Sequence, residues 1–268
     1  MTHLKRWLTS IVAIPILLLI IGPGPRWLFH SLVTLASLVA LNEFLQITSP
    51  SLPRAARVLA FILSIGLLYF TSQGFFLVTP ALLSLSIIFL LCLFLFSSSS
   101  ERPNAVEHIG KIALGLIYIC VPLSLLIVID KDPGGNRWIF FLLLVVFFSD
   151  TGAFYAGQFF GRHKLYPSIS PGKTWEGSVG GFLASLLAAL LCPLLLSLPQ
   201  PVRTLLTLAA CLSVTEQVGD LAESMLKRIY RIKDSGNILP GHGGLLDRID
   251  GLLFSIPVLH LFLSWPIL

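Results

Sequence analysis

From Lys233 to Gly251 the chain reads KDSGNILPGHGGLLDRIDG, a run of glycines followed by two aspartates three residues apart, with cations on either side. Pro240-Gly241-His242-Gly243-Gly244 cannot continue a helix smoothly, whereas Leu245 onward reads as the start of one, so the glycines stand at a helix N-terminus. Free backbone N–H groups and the positive end of the helix dipole meet there, and glycine lets a phosphate approach the backbone closely. Asp247 and Asp250 follow in the first turns. Carboxylates beside an anion site repel the ligand unless a divalent cation stands between them, and Mg²⁺ is commonly held by one or two carboxylates plus substrate phosphates. The plainer alternative is a glycine turn with aspartates serving the helix dipole. It explains Asp247 but leaves His242 and the nearby cations without a task.

Two further clusters carry chemistry. In SVTEQVGDLAESMLKRIYRIKD, Glu216, Asp220 and Glu223 fall at i, i+4 and i+7 on one helix face, and Lys227 extends it by a turn. Carboxylates in or near a membrane cost several kcal/mol unless paired, hydrated or bound to a cation, so this stripe is expected to face a wet cavity. The structural alternative pairs Glu223 with Lys227 at i, i+4 and leaves the others solvated at the interface. The other cluster, SDTGAFYAGQFFGRHKLYPSISPGKTWEGSVGG, runs from Ser149 to Gly181. Asp150 lies inside an apolar run there, as a functional group or as the partner of a buried cation. PGKT has the tail of a phosphate-binding P-loop, but Pro167 stands where the first glycine belongs and no strand precedes it, which excludes that motif. Ser170 with Pro171 next to it predicts a helix start that holds Lys173 near the membrane surface. Gly177 and Gly181 form a GxxxG, read as close helix packing.

The elements that must position these groups are set by composition. Of the 268 residues 55% are hydrophobic and only 12% charged, a balance foreign to a soluble domain. The mean hydropathy is +0.89. Apolar runs long enough to cross ~30 Å of hydrocarbon predict an all-α polytopic integral membrane protein with about nine transmembrane helices. They are Trp7–Gly22, Trp27–Ile47, Val58–Ser72, Phe75–Phe96, Ile112–Ile129, Trp138–Phe160, Ser178–Leu198, Val202–Glu223 and Leu252–Leu268. The first follows Lys5 and Arg6 as a signal peptide would, but ends in IGPGP without a small-residue cleavage site, and is read as a retained span. Residues 1–131 form an N-terminal set of helices with a lipid-facing scaffold and dimer role. Residues 132–268 form the catalytic region with its cytoplasmic signature loop, the whole being one membrane unit.

Fourteen of the 18 Lys and Arg fall at the N-terminus and in alternate loops, which places both on the cytoplasmic side. The net charge of +5 is thus a topology signal that also suits anionic lipids or substrates. It does not indicate nucleic acid, because the cations are dispersed at helix ends. Cys92, Cys120, Cys192 and Cys211 match no metal or disulfide spacing. Residues alone therefore reach a membrane protein with a cation- and carboxylate-rich pocket for a metal-bridged phosphate compound.

The stretch SMLKRIYRIKDSGNILPGHGGLLDRID resembles the signature of the phosphatidate cytidylyltransferases, also called CDP-diacylglycerol synthases. The matching positions are Ser224, Lys227, Arg228, Lys233, Asp234, Pro240 to Gly244, Asp247, Arg248 and Asp250. SDTGAFYAGQFFGRHKL and SPGKTWEG resemble further family segments, while the N-terminal half matches only in general character. The resemblance implies transfer of a cytidylyl group from CTP to phosphatidate in the cell membrane, with Mg²⁺, one ion or two. It implies Lys227, Asp220 and Asp247 as catalytic residues. Asp220 and Asp247 are the expected metal ligands, with Asp250 and Glu223 secondary. Lys173, Arg228, Lys233, His242, Gly243, Gly244 and Arg248 are expected to bind substrate. Membrane lipids and a second copy of the chain, as a homodimer, are the expected partners. A CTP-dependent polyprenol kinase and a transporter of a phosphorylated solute are the rival readings.

Overall fold

The computed structural model describes residues 15–75, 78–96, 102–236, 238 and 243–264. Among them seven helices are long and apolar enough to cross a membrane. The expected span Trp7–Gly22 lies mostly outside the described residues, which show helix only from residue 15 to 21. The expected last span is a helix, but it carries Asp247, Arg248 and Asp250 in its first turns and is not among the seven.

The chain divides into two compact units, one comprising residues 1–128 and 234–247, the other 129–233 and 248–268. The first contains α1 (Arg26–Thr48), α2 (Arg54–Ser72), α3 (Val78–Leu95), α4 (Ala105–Gly115) and most of α5 (Val121–Lys131). Leu41, Phe44 and Leu45 of α1 and Ile112, Leu116 and Ile119 are fully buried in its core. Gly115 makes their approach close: a Cβ there would stand 2.8 Å from Leu41 Cδ1. Between α4 and α5 the helix widens into a π turn, Leu116–Cys120. Pro122 supplies the reason, since it has no N–H to give the carbonyl four residues back, and one wide turn accommodates the fault without ending the helix.

The second unit contains α6 (Gly135–Phe160), a hairpin of β1 (Lys164–Tyr166) and β2 (Ser170–Thr174), α7 (Trp175–Leu196), α8 (Val202–Ile229) and most of α9 (Leu246–Ser264). The strands are antiparallel, with Lys164 opposite Thr174 and Tyr166 opposite Ser170. This corrects both the helix start expected at Ser170 and the reading that no strand precedes PGKT, since β1 ends immediately before Pro167. Pairing with Lys164–Tyr166 keeps Ser170–Thr174 extended, as the residue before Pro171 prefers, and the helix begins five residues later. Its N-cap is Thr174, whose Oγ1 accepts the Gly177 N–H at 3.1 Å.

The GxxxG reading is borne out inside the chain. A Cβ on Gly177 would lie 2.9 Å from the Ala153 carbonyl oxygen, and one on Gly181 2.7 Å from that of Ser149, so α6 and α7 meet backbone to backbone. Because this contact is internal, it lends no support to a dimer. Leu183, Leu187, Leu190 and Leu194 are exposed on α7 at a spacing that presents apolar side chains to lipid. Hydroxyl and amide groups join α8 to its neighbours: Ser149 Oγ lies 3.0 Å from Ser213 Oγ, and Gln217 Nε2 donates to the Ser178 carbonyl at 3.2 Å. Trp138 of α6 packs edge-on against Phe262 of α9.

Gly181→Val should therefore lower stability by about 1–3 kcal/mol through overpacking. Gly110→Ala, in α4 with no atom within 4 Å of the added Cβ, should leave it unchanged or raise it. Unfolding midpoints of the two variants in the same detergent check this.

Candidate active site

A cavity of about 480 Å³ opens in the second unit. α6 contributes Asp150 and Phe154, the hairpin contributes Lys173, α7 contributes Ser178, and α8 contributes Glu216, Gln217 and Asp220. Gly157 and Gly177 also line it, and a Cβ on either would run into the contact between α6 and α7 and Thr174. The cavity thus joins two of the sequence clusters, one from α6 to α7 and one on α8.

The acidic groups of α8 are each partnered differently. Asp220 Oδ2 lies 2.5 Å from Lys173 Nζ, both groups being partly exposed. Glu216 is buried and its Oε2 accepts the Ser149 hydroxyl at 2.7 Å. Its Cγ lies 2.8 Å from the place a Cβ on Gly251 would take, which fixes α9 against α8. One turn further, Glu223 is 1% exposed and its Oε2 lies 2.5 Å from Lys227 Nζ. Both readings of the α8 stripe therefore hold in part, with Glu216 and Asp220 on the cavity and Glu223 paired with Lys227.

The hairpin delivers Lys173 because it is clamped at its base. The backbone N–H groups of Arg162 and His163 donate to Glu176 at 3.1 and 3.2 Å, and His163 Nδ1 lies 2.6 Å from Glu176 Oε1. The Trp175 N–H donates to the His163 carbonyl at 2.9 Å. Arg228, a predicted substrate-binding residue, donates from Nε to the Ile169 carbonyl at 3.0 Å and so ties α8 to the hairpin turn. Lys233 and Arg248 are exposed. Asp250, in α9, has its Oδ1 2.9 Å from the Gly251 N–H.

The signature loop belongs to the other unit. His242, like Pro240 and Gly241, lies outside the described residues. Gly243 has φ +83°, in the left-handed region that favours glycine. Asp247 Oδ2 accepts two backbone N–H groups, from Ser235 and Gly244, each at 2.9 Å. Glu43 of α1, which the sequence did not single out, also enters this loop. Its Oε1 accepts the Leu245 N–H at 3.0 Å, and its Oε2 accepts the Leu246 N–H at 2.8 Å and the Ser235 hydroxyl at 3.3 Å. The structure thus places side-chain carboxylates against the N–H groups that start α9, where the sequence places a phosphate.

The profile of the Cytidylyltransferase family matches residues 4–265. The chain belongs to this family. It is 36% identical over 269 residues to the phosphatidate cytidylyltransferase of Bacillus subtilis (strain 168), covering 97% of each chain. The enzyme of the same name from Staphylococcus haemolyticus (strain JCSC1435) is 34% identical over 272 residues, covering 96% of this chain and 98% of its own. Over a shorter stretch of 134 residues, half of this chain, identity to the phosphatidate cytidylyltransferase of Staphylococcus epidermidis (strain RP62A) reaches 46%.

For a cytidylyltransferase the cavity offers a cation and acidic groups side by side. Asp150, Glu216 and Asp220 share it, yet among the described residues no three His, Cys, Asp or Glu side chains converge closely enough to enclose a metal ion. Such a donor set fits a metal that takes one or two carboxylates and fills its remaining positions from substrate or water, as Mg²⁺ does.

Because Thr174 both caps α7 and follows Lys173, Thr174→Val should cost about 1 kcal/mol of stability by leaving the Gly177 N–H without its acceptor. A lower unfolding midpoint, with the helical content unchanged by circular dichroism, is the expected result.

Proposed function

We propose that this membrane protein transfers the cytidylyl group of CTP to phosphatidate, giving CDP-diacylglycerol and pyrophosphate. The observation that carries the reading is the cavity in which Lys173, Asp220, Asp150 and Glu216 meet, in a chain that belongs to the cytidylyltransferase family.

The phosphate monoester of phosphatidate is already ionised at neutral pH, so its oxygen attacks without a strong general base. A new P–O bond forms to the α-phosphorus of CTP, the bond to the β-phosphate breaks, and pyrophosphate leaves with the electron pair. Repulsion between two polyanions is the obstacle, and fixed charge must offset it and hold the groups in line. Lys173 is the cation on the cavity wall. Its present partner Asp220 is a carboxylate, so an arriving phosphate competes for a site already built for an anion. Lys227 lies one helical turn from Glu223 and two from Asp220 on α8, and adds positive charge to the same face. Arg228 and Lys233 extend that charge, and Arg228 also steadies the hairpin turn.

Mg²⁺ would be held by Asp220, with Asp250 as a further ligand, and would neutralise phosphate charge and polarise the α-phosphorus; for Asp247, in the signature loop, a metal-binding role is what the resemblance implies. Glu223 is the least available of the expected ligands, since it is buried against Lys227. Gly243, Gly244 and His242 retain a nucleotide-binding role in the loop, and Arg248 an electrostatic one. The N-terminus and the reacting groups face the cytoplasm, from which CTP arrives. The lipid enters from the bilayer: Phe154 lines the cavity and is 64% exposed, so an apolar side chain stands where acyl chains would approach.

The test uses purified protein in mixed micelles with phosphatidate, Mg²⁺ and CTP labelled at the α-phosphate. Label should enter the lipid phase and pyrophosphate the aqueous phase in equal amounts, both vanishing when Mg²⁺ or phosphatidate is left out. Absence of both products from folded protein overturns the reading. Asp220→Asn keeps the side-chain shape while removing the charge, and should lower kcat/KM at least ~100-fold, about 2.7 kcal/mol of transition-state stabilisation. Near wild-type activity with unchanged Mg²⁺ dependence would refute the metal assignment.

A further inference from the structure

Glu43 sits in an apolar helix, is 1% exposed, and reaches a loop about two hundred residues further along the chain. A carboxylate in such surroundings is costly unless hydrogen bonds and positive charge compensate it. Here compensation comes from the Leu245 and Leu246 N–H groups, the positive end of α9 and the Ser235 hydroxyl. Both margins of the loop are held at once. Ser235 and Gly236 lie on its near side and Gly244 to Leu246 on its far side. The glycines fit this carboxylate: a Cβ on Gly236 would stand 2.6 Å from Glu43 Oε1, and one on Gly244 2.8 Å from Oε2.

Capping a helix does not require such an arrangement. Asp247 already takes the Gly244 N–H within its own first turn, and a local Ser, Thr or Asp serves most helix starts. What Glu43 adds to the Ser235–Asp247 hydrogen bonds is a further link between the two chain segments, made from a distant helix. Ser235 transmits it, because its hydroxyl donates to Glu43 and accepts the Asp247 N–H at 3.3 Å, while its own N–H donates to Asp247 Oδ2. The placement of Asp247 therefore depends on Glu43 through one shared residue.

We propose that Glu43 is a positioning residue for nucleotide binding: its carboxylate holds Ser235 and the Leu245 and Leu246 N–H groups together and thereby fixes Asp247, Gly243 and Gly244 for CTP. The inference rests on the cytidylyltransferase reading above. It also makes a demand that the helix cap alone does not, namely two acceptor oxygens. An amide offers one acceptor, so in Glu43→Gln either Leu245 or Leu246 would face an NH₂ group across a donor–donor contact.

Hydrogen exchange and steady-state kinetics on the full-length protein in detergent test the proposal. In Glu43→Gln, the amides of 243–247 should exchange at least ~10-fold faster while those of α6 to α8 stay unchanged. The protection that CTP gives this loop in the wild type should be lost. KM for CTP should rise ~10-fold or more, with KM for phosphatidate within about twofold. Ser235→Ala should shift the same readouts in the same direction by less, and carries the test if Glu43→Gln does not fold. Wild-type exchange and KM for CTP in both variants overturn the proposal. So does a uniform rise in exchange with both KM values raised together, which marks a purely structural role. If the wild type transfers no cytidylyl group, the functional reading fails, and loop exchange without nucleotide still decides whether Glu43 holds the loop.

Discussion

An acidic side chain surrounded by hydrocarbon must find donors or a cation, and in this protein that requirement governs where helices meet. The solutions differ in kind. Glu43 is met by two backbone N–H groups and a hydroxyl, and Glu216 by the Ser149 hydroxyl. Asp220 and Glu223 are met by Lys173 and Lys227. Backbone donors at a helix start cannot leave without unwinding it, so Glu43 is a permanent fixture. A lysine ammonium on a flexible stem can turn from a carboxylate to a phosphate at little cost, so the pairing of Lys173 with Asp220 is exchangeable. The protein thus uses rigid compensation to set its signature loop and labile compensation at the cavity wall.

Close backbone contact is the second constraint, and it shapes the cavity directly. Gly177 and Gly181 let α7 lie against α6 without intervening side chains. Gly157 and Gly177 lie where this contact borders the cavity that Lys173 and Asp220 also line. The hairpin follows from the same geometry. α6 and α7 meet so closely at Gly157 and Gly177 that a short connection must turn back sharply, and paired strands satisfy its backbone where a free loop would not. Glu176 completes the turn by accepting the N–H groups that leave α6.

Much of this was legible in the sequence wherever the signal is local and periodic. Apolar length marks the helices, and the i, i+4 spacing of Glu216 and Asp220 marks the cavity face of α8, while Glu223 one turn on is paired with Lys227 instead. PGHGG before LLDRID marks the start of α9, which begins at Leu246. The hairpin was not legible, because Ser170-Pro171 reads equally well as a helix cap and only pairing with Lys164–Tyr166 decides between them. Glu43 was missed for a different reason. In ALNEFLQ it is one polar residue among apolar ones, and its partners lie 192 to 203 residues away. An isolated acid in an otherwise apolar helix was the available signal, since its burial demands a partner that the local sequence does not provide.

The glycines of the signature illustrate how one residue type can answer two demands. Read from sequence, they make room for a phosphate. In the structure, Gly236 and Gly244 make room for a glutamate, while Gly243 supplies a left-handed turn. The physical requirement is the same in both cases, because a carboxylate and a phosphate are both oxyanions drawn to the N–H groups of a helix start. Occupation by Glu43 therefore limits what the loop can offer a nucleotide. The Leu245 and Leu246 N–H groups are committed to Glu43 and the Gly244 N–H to Asp247, so these three donors are not open to a nucleotide phosphate.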